Sequence, residues 1–242
     1  MSNAGLQTRG MVRSMGEWIK LRASDGNDLS AYEAKPAGEP SGAVVVVQEI
    51  FGVNQQIRQV ADEFAEQGYL AIAPAIFDRY EKDVQLGYEG EDLKKAFELY
   101  GKLSPDKALL DIAAAYEELK KADKGIAVMG FCYGGLMSWL SATRGDEIKM
   151  RPSCTVGYYA GGVGNVAKEE PFCPVMLHFG LEDSHIGKDQ VDAVRAAHPE
   201  VEIYTYAGAG HGFANPGRAD YRAEAAKLAW ERTLGFLKTH IA

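Results

Sequence analysis

One stretch, Gly-Ile-Ala-Val-Met-Gly-Phe-Cys-Tyr-Gly-Gly over residues 125–135, restricts the fold of this chain more than any other. Residues 126–129 are apolar and read as a buried strand, and Leu136 to Leu140 continue as a helix. Glycines at 130, 134 and 135 let the backbone cross itself closely between them, so Cys132 is expected at the apex of a strained, exposed turn. A thiol held there lies at a helix N-terminus, whose positive dipole end and free N–H groups favour an anion. Thiolate is the nucleophilic form of cysteine. The same glycines also suit a plain turn around an inert cysteine, so chemistry has to be argued from the rest of the chain.

Apolar and polar residues alternate over 17–23 and 29–35 around Ser24-Asp25-Gly26-Asn27-Asp28, the pattern of an antiparallel hairpin of edge strands. Residues 43–47 are apolar at every position, as in a parallel strand covered on both faces. Helical spacing at Ile57, Val60 and Phe64 predicts a helix over 55–67, closed by Gly68. A strand follows at 69–73. Residues 75–90 form an irregular insert and a candidate lid, before a helix through Phe97 and another from Pro105 with Leu109, Ile112, Tyr116 and Leu119 inward. Further strands are expected at 125–129, 154–159, 175–179 and 201–206, and helices at about 187–197 and 220–238. Such alternation predicts an α/β fold: a mostly parallel central sheet with helices on both faces and reactive groups at the C-terminal strand ends. The 242 residues fit one such domain over 16–242, with 1–15 a cloning scar or disordered tail.

A formal net charge of −8 without clustered Lys and Arg argues against nucleic-acid and anionic-membrane partners. No apolar run reaches membrane-spanning length, and the N-terminus lacks the apolar middle of a signal peptide, which leaves the cytoplasm as the default location. Three cysteines without repeating spacing fit a reducing compartment, with Cys154 and Cys173 as packing residues.

Beyond Cys132, two residues fall just after predicted strands. Asp183 follows the strand ending near Phe179, and His211 lies in Gly208-Ala209-Gly210-His211-Gly212-Phe213, between the last strand and the last helix. A thiol nucleophile gains from a histidine within reach, and the imidazole needs a carboxylate to fix its tautomer and stabilise its cation. The order nucleophile, acid, histidine is that of the α/β-hydrolase layout. Glu49, directly after the all-valine strand, brings a further carboxylate to the same mouth, unless it is simply a solvated strand end. In that layout the backbone N–H groups of Ile50 and Tyr133 form an oxyanion hole. Phe97, Tyr100, Tyr158 and Tyr159 are candidates to line a pocket.

Together these residues resemble the dienelactone hydrolase family of cysteine-dependent α/β hydrolases. The resemblance runs from about Glu17 to near the C-terminus and rests on Gln48-Glu49-Ile50-Phe51-Gly52-Val53-Asn54, Gly130-Phe131-Cys132-Tyr133-Gly134-Gly135, Val156-Gly157-Tyr158-Tyr159, Asp183 and Gly210-His211-Gly212-Phe213. It implies that Cys132 attacks a lactone or ester carbonyl, that His211 and Asp183 help hydrolyse the acyl-enzyme, and that Glu49 helps generate the thiolate. It also implies a small-molecule ester or lactone substrate and a reaction without metal or organic cofactor; a monomer or small homo-oligomer is expected. The family member acting on dienelactone holds the substrate carboxylate with two arginines. Leu93 and Asn215 occupy those places here, with Arg79, Lys94 and Arg218 as the cations able to substitute.

Three other readings were open to the same residues. Gly-x-Cys-x-Gly with His198-Pro199-Glu200 imitates a glutaminase-like amidotransferase. His178, Asp183 and His185 form a loose metal-ligand pattern, explained more simply by a strand histidine and turn residues. A non-catalytic thiol redox sensor or ligand carrier would use the same fold and the same reactive cysteine.

Overall fold

A computed structural model of the chain describes residues 16–241, so the expectation for residues 1–15 lies outside the described residues. In chain order the elements are β1 (Glu17–Arg22), β2 (Asp28–Ala34), β3 (Gly42–Val47), α1 (Gln55–Glu66), β4 (Tyr69–Pro74), α2 (Gly90–Tyr100), α3 (Pro105–Leu119), β5 (Ile126–Phe131), α4 (Tyr133–Arg144), β6 (Cys154–Tyr158), β7 (Val175–Gly180), α5 (Lys188–Ala197), β8 (Glu202–Tyr206) and α6 (Ala223–His240). The eight strands form one sheet in the order β1-β2-β4-β3-β5-β6-β7-β8. The β1–β2 and β2–β4 pairings are antiparallel, and β3 to β8 run parallel to β4 and to one another. Every residue of β3, β5 and β7 is buried, which requires helices on both faces of the central sheet. On one side α1 meets α6 through Phe64 and Trp230, with ring centroids 4.6 Å apart.

The hairpin forms as its alternation predicts, but only β1 is an edge strand. β2 is covered by β4, because Ala31 to Ala34 pair with Pro74 to Ala71. This burial matches its composition, since Leu29, Ala31 and Ala34 are small or apolar and have almost no exposed surface. The other edge is β8.

The insert over 75–90 is fastened rather than loose. Ile76–Arg79 is a short 3-10 turn with Ile76 and Phe77 buried. The Asp78 carboxylate accepts from the Ser30 N–H at 2.8 Å, and Gln85 bridges to Gly52. Arg79 Nε lies 2.6 Å from Asp111 Oδ2 on α3, and its Nη1 lies 2.6 Å from Asp25 Oδ2 in the hairpin turn. One guanidinium therefore ties the insert, the hairpin and α3 together.

Alignment of the parallel strands gathers their C-terminal ends: Val47 stands beside Gly130, Phe131 beside Tyr158, and Gly180 beside Tyr206. The chain passes to β4 on one side of β3 and to β5 on the other, which is where a crevice opens above such a sheet.

Removing the Arg79 guanidinium leaves the Asp111 carboxylate buried without its cation. Arg79→Ala should therefore lower stability by about 3–5 kcal/mol in urea unfolding while leaving KM for a small neutral ester within about twofold. A large KM effect with little loss of stability would assign Arg79 to substrate instead.

Candidate active site

Cys132 sits between the last residue of β5 and the first of α4, at φ 54° and ψ −115°. That backbone is strained for a residue with a Cβ, and close packing on either side maintains it. A Cβ at Gly130 would lie 2.3 Å from the Gly134 carbonyl oxygen, and one at Gly134 would lie 2.3 Å from the Val47 oxygen. Only glycine lets strand, turn and helix approach so closely. The Cys132 N–H donates to Tyr158 O at 2.9 Å, and its carbonyl accepts from Leu136 N at 3.2 Å, which fixes the turn from both ends. Cys132 is partly exposed, whereas burial pushes the Cys154 thiol far up and the Cys173 thiol up to about 12, so both of those stay protonated at neutral pH.

His211 reaches the sulfur from the loop after β8. Its Nε2 lies 3.1 Å from Cys132 Sγ, and its Nδ1 lies 2.8 Å from Asp183 Oδ2. The other carboxylate oxygen of Asp183 accepts from the N–H groups of His185 at 2.8 Å and Ile186 at 3.1 Å, so the acid is itself held in place. A backbone bond from Glu182 N to Ala209 O, 2.9 Å long, ties the two loops together. Burial opposes the His211 cation, but hydrogen bonds to Asp183 and Cys132 and their negative charges push its pKa up to about 10. Burial likewise opposes the Asp183 carboxylate, but the bond to His211, the His211 charge and the N–H groups of His185 and Ile186 together outweigh it, leaving the pKa below the usual value.

Glu49 is buried at 3 % exposure, not solvated. Asn215 Nδ2 donates to Glu49 Oε2 at 2.9 Å, and Asn215 Oδ1 accepts from Gly217 N at 2.9 Å. Burial raises the Glu49 pKa against the opposing charges of Arg218 and His211. Glu49 thus bonds to Asn215, while Cys132 bonds to His211. As the first residue of α4, Tyr133 has no intrahelical acceptor for its N–H. Ile50 follows Glu49 on the β3 side, where Gly134 packs against the carbonyls of Val47 and Gln48.

The remaining candidates divide. Tyr159 is fully buried with its ring 5.2 Å from the His211 ring, and Tyr100, 45 % exposed, packs edge-on to Tyr133 at 5.9 Å. Phe97 is 56 % exposed on the outside of α2. Tyr158 belongs to the core below the site, where its hydroxyl bonds to Thr233 Oγ1 at 2.7 Å and its ring packs on His178. Arg79 is engaged by Asp25 and Asp111, and Lys94 pairs with Glu91 on the surface. Arg218 stacks over Phe51 and Tyr88, with its guanidinium carbon 5.4 and 5.7 Å from their ring centres. His198 turns away to Glu200 and Trp139. Both nitrogens of His178 are occupied, by Tyr206 at 2.8 Å and Thr233 at 3.2 Å, and burial together with the Arg232 charge pulls its pKa down to about 3. Among the described residues no three His, Cys, Asp or Glu side chains are arranged to hold a metal ion. The Asn215–Glu49 contact has no signal in the sequence, because 166 positions separate the partners and neither lies in a shared motif.

The family model described as the dienelactone hydrolase family matches residues 29–241. A carboxymethylenebutenolidase of Pseudomonas putida is 30 % identical over 230 residues, covering 91 % of this chain and 95 % of that protein. A candidate carboxymethylenebutenolidase of Azospirillum brasilense is 34 % identical over 232 residues, covering 92 % and 98 %. A crystal structure described as a candidate dienelactone hydrolase of Klebsiella pneumoniae superposes with a TM-score of 0.77 at 30 % identity, covering 90 % of this chain and 98 % of that one. With the α/β sheet and the residues gathered at its strand ends, these matches make the chain a member of the dienelactone hydrolase family of lactone and ester hydrolases.

Proposed function

We propose that this protein hydrolyses small esters and lactones through an acyl-enzyme on Cys132. The observation that carries the reading is the 3.1 Å approach of His211 Nε2 to Cys132 Sγ, with Asp183 2.8 Å behind the other ring nitrogen. A histidine that keeps its proton at neutral pH supports an attacking thiolate held in an ion pair. The sulfur adds to the carbonyl carbon, and the displaced electron pair settles on oxygen, facing the backbone N–H groups of Ile50 and Tyr133. Collapse expels the alkoxide, which takes the His211 proton. In a lactone that alkoxide stays tethered to the acyl group. Neutral His211 then removes a proton from water, the water oxygen attacks the thioester, and the thiolate departs beside a restored imidazolium. Glu49, made more basic by burial, is the base for a resting thiol.

Substrate charge follows from the cations. Leu93 and Asn215 stand where the dienelactone-specific pattern has guanidinium groups, and Asn215 is already bonded to Glu49. Arg79 and Lys94 are paired with carboxylates, which leaves Arg218 as the cation beside Glu49. The preferred substrates are therefore small neutral esters and lactones.

With 4-nitrophenyl acetate, Cys132→Ala should lower turnover by at least about 10³-fold, and Glu49→Gln should slow the acylation burst about 10²-fold with unchanged thermal unfolding. Undiminished turnover in Cys132→Ala would remove the acyl-enzyme on Cys132, and no turnover by the wild type would favour a thiol sensor or carrier over the enzyme. On a substrate panel, kcat/KM should be higher for neutral lactones than for carboxylated dienelactone, and Arg218→Ala should weaken the carboxylated substrate more than the neutral ones. Efficient dienelactone turnover that survives replacement of Arg79, Lys94 and Arg218 would sink the assignment of substrate charge. By imidazole nitrogen NMR, His211 should lose its proton near pH 10. In Cys132→Ala it should do so at lower pH, since the hydrogen bond and charge of the sulfur are gone.

A further inference from the structure

Tyr159 carries two features that the reaction above leaves unused. Its φ of 37° is strained for a bulky side chain, and the bond from its N–H to His178 O, 2.7 Å long, holds the backbone there. Its side chain is fully buried, yet the hydroxyl has no hydrogen-bond partner among the described residues. A buried hydroxyl is normally satisfied, and strain of this kind gathers at functional sites.

What the hydroxyl faces gives it a use. It approaches the Glu49 carboxylate closely enough to favour the anion, although outside the geometry of a direct hydrogen bond. Both side chains line a cavity of about 10 Å³, to which Gln56 and Asn215 also contribute polar groups and Ile57, Val60 and Phe131 apolar ones. That is about the space of one water molecule, with enough polar partners to hold it. Asn215 already occupies one carboxylate oxygen of Glu49.

We propose that Tyr159 is a positioning residue for Glu49: through one water in this cavity its hydroxyl donates to the carboxylate and keeps Glu49 ionised as the base for Cys132. The inference rests on the reading of Glu49 as the base for the thiol. Arg218, His211 and the Tyr88 hydroxyl also face Glu49, so the contribution of Tyr159 has to be separated from theirs. Losing the Tyr159 donor disfavours the carboxylate, so the acid limb of acylation moves to higher pH.

The acylation burst with 4-nitrophenyl acetate, measured across pH for Tyr159→Phe alone and in a Glu49→Gln background, tests this. Tyr159→Phe alone should slow acylation about tenfold and shift the acid limb upward. In the Glu49→Gln background it should have no further effect. Equal slowing in both backgrounds, or an unmoved limb, would overturn the proposal. Should Tyr159→Phe fail to fold, 3-fluorotyrosine at position 159 keeps the ring and makes the phenol a stronger donor, so the limb should move to lower pH; an unmoved limb there overturns it equally. If Glu49→Gln alone leaves the burst unchanged, the role of Glu49 itself falls, an outcome distinct from a failure at Tyr159.

Discussion

The site depends on a backbone contact. Gly134 at the start of α4 packs against the carbonyls of Val47 and Gln48, and Gly130 packs against Gly134, so β3, β5 and the helix meet with no side chain between them. Cys132 is held in its strained conformation by that contact. A single methyl group at either glycine would meet backbone atoms at 2.3 Å and force strand, turn and helix apart.

Electrostatics then work at short range in a nearly dry setting. His211, Asp183 and Glu49 are all buried, so each depends on specific partners rather than on water. Asp183 makes bonds with both oxygens, His211 with both nitrogens, and Glu49 with Asn215. An asparagine at position 215 satisfies the glutamate without adding a cation. Burial therefore prevails over the neighbouring charges and leaves Glu49 more basic than an ordinary carboxylate. On the surface, carboxylates pair with lysines along helices, as Glu91 does with Lys94 and Glu98 with Lys102.

Departures from the sequence expectations share a physical origin. β2 reads as an edge strand because alternation reports which faces are covered and not which neighbours supply hydrogen bonds. The segment 75–90 reads as a loose lid because its fastenings are long-range: Asp78 to Ser30, and Arg79 to Asp25 and Asp111. Of the four aromatic candidates, Tyr159 packs near His211 and Tyr100 near Tyr133, Phe97 points outward and Tyr158 fills the core. An aromatic side chain has the same composition signal in all three settings.

Local pattern determined much of this protein. The all-valine run specified a doubly covered parallel strand, helical spacing with Gly68 and Pro105 marked the helices, and the glycines around Cys132 specified a turn that only glycine permits. Chain order set Cys132, Asp183 and His211 just beyond β5, β7 and β8, because parallel strands joined by crossovers leave their C-terminal loops on one side. Tertiary structure decided what those loops touch. The burial of Glu49, its bond to an asparagine 166 residues away and the unpaired hydroxyl of Tyr159 all arise from loops of different strands converging, and no spacing along the chain encodes that convergence.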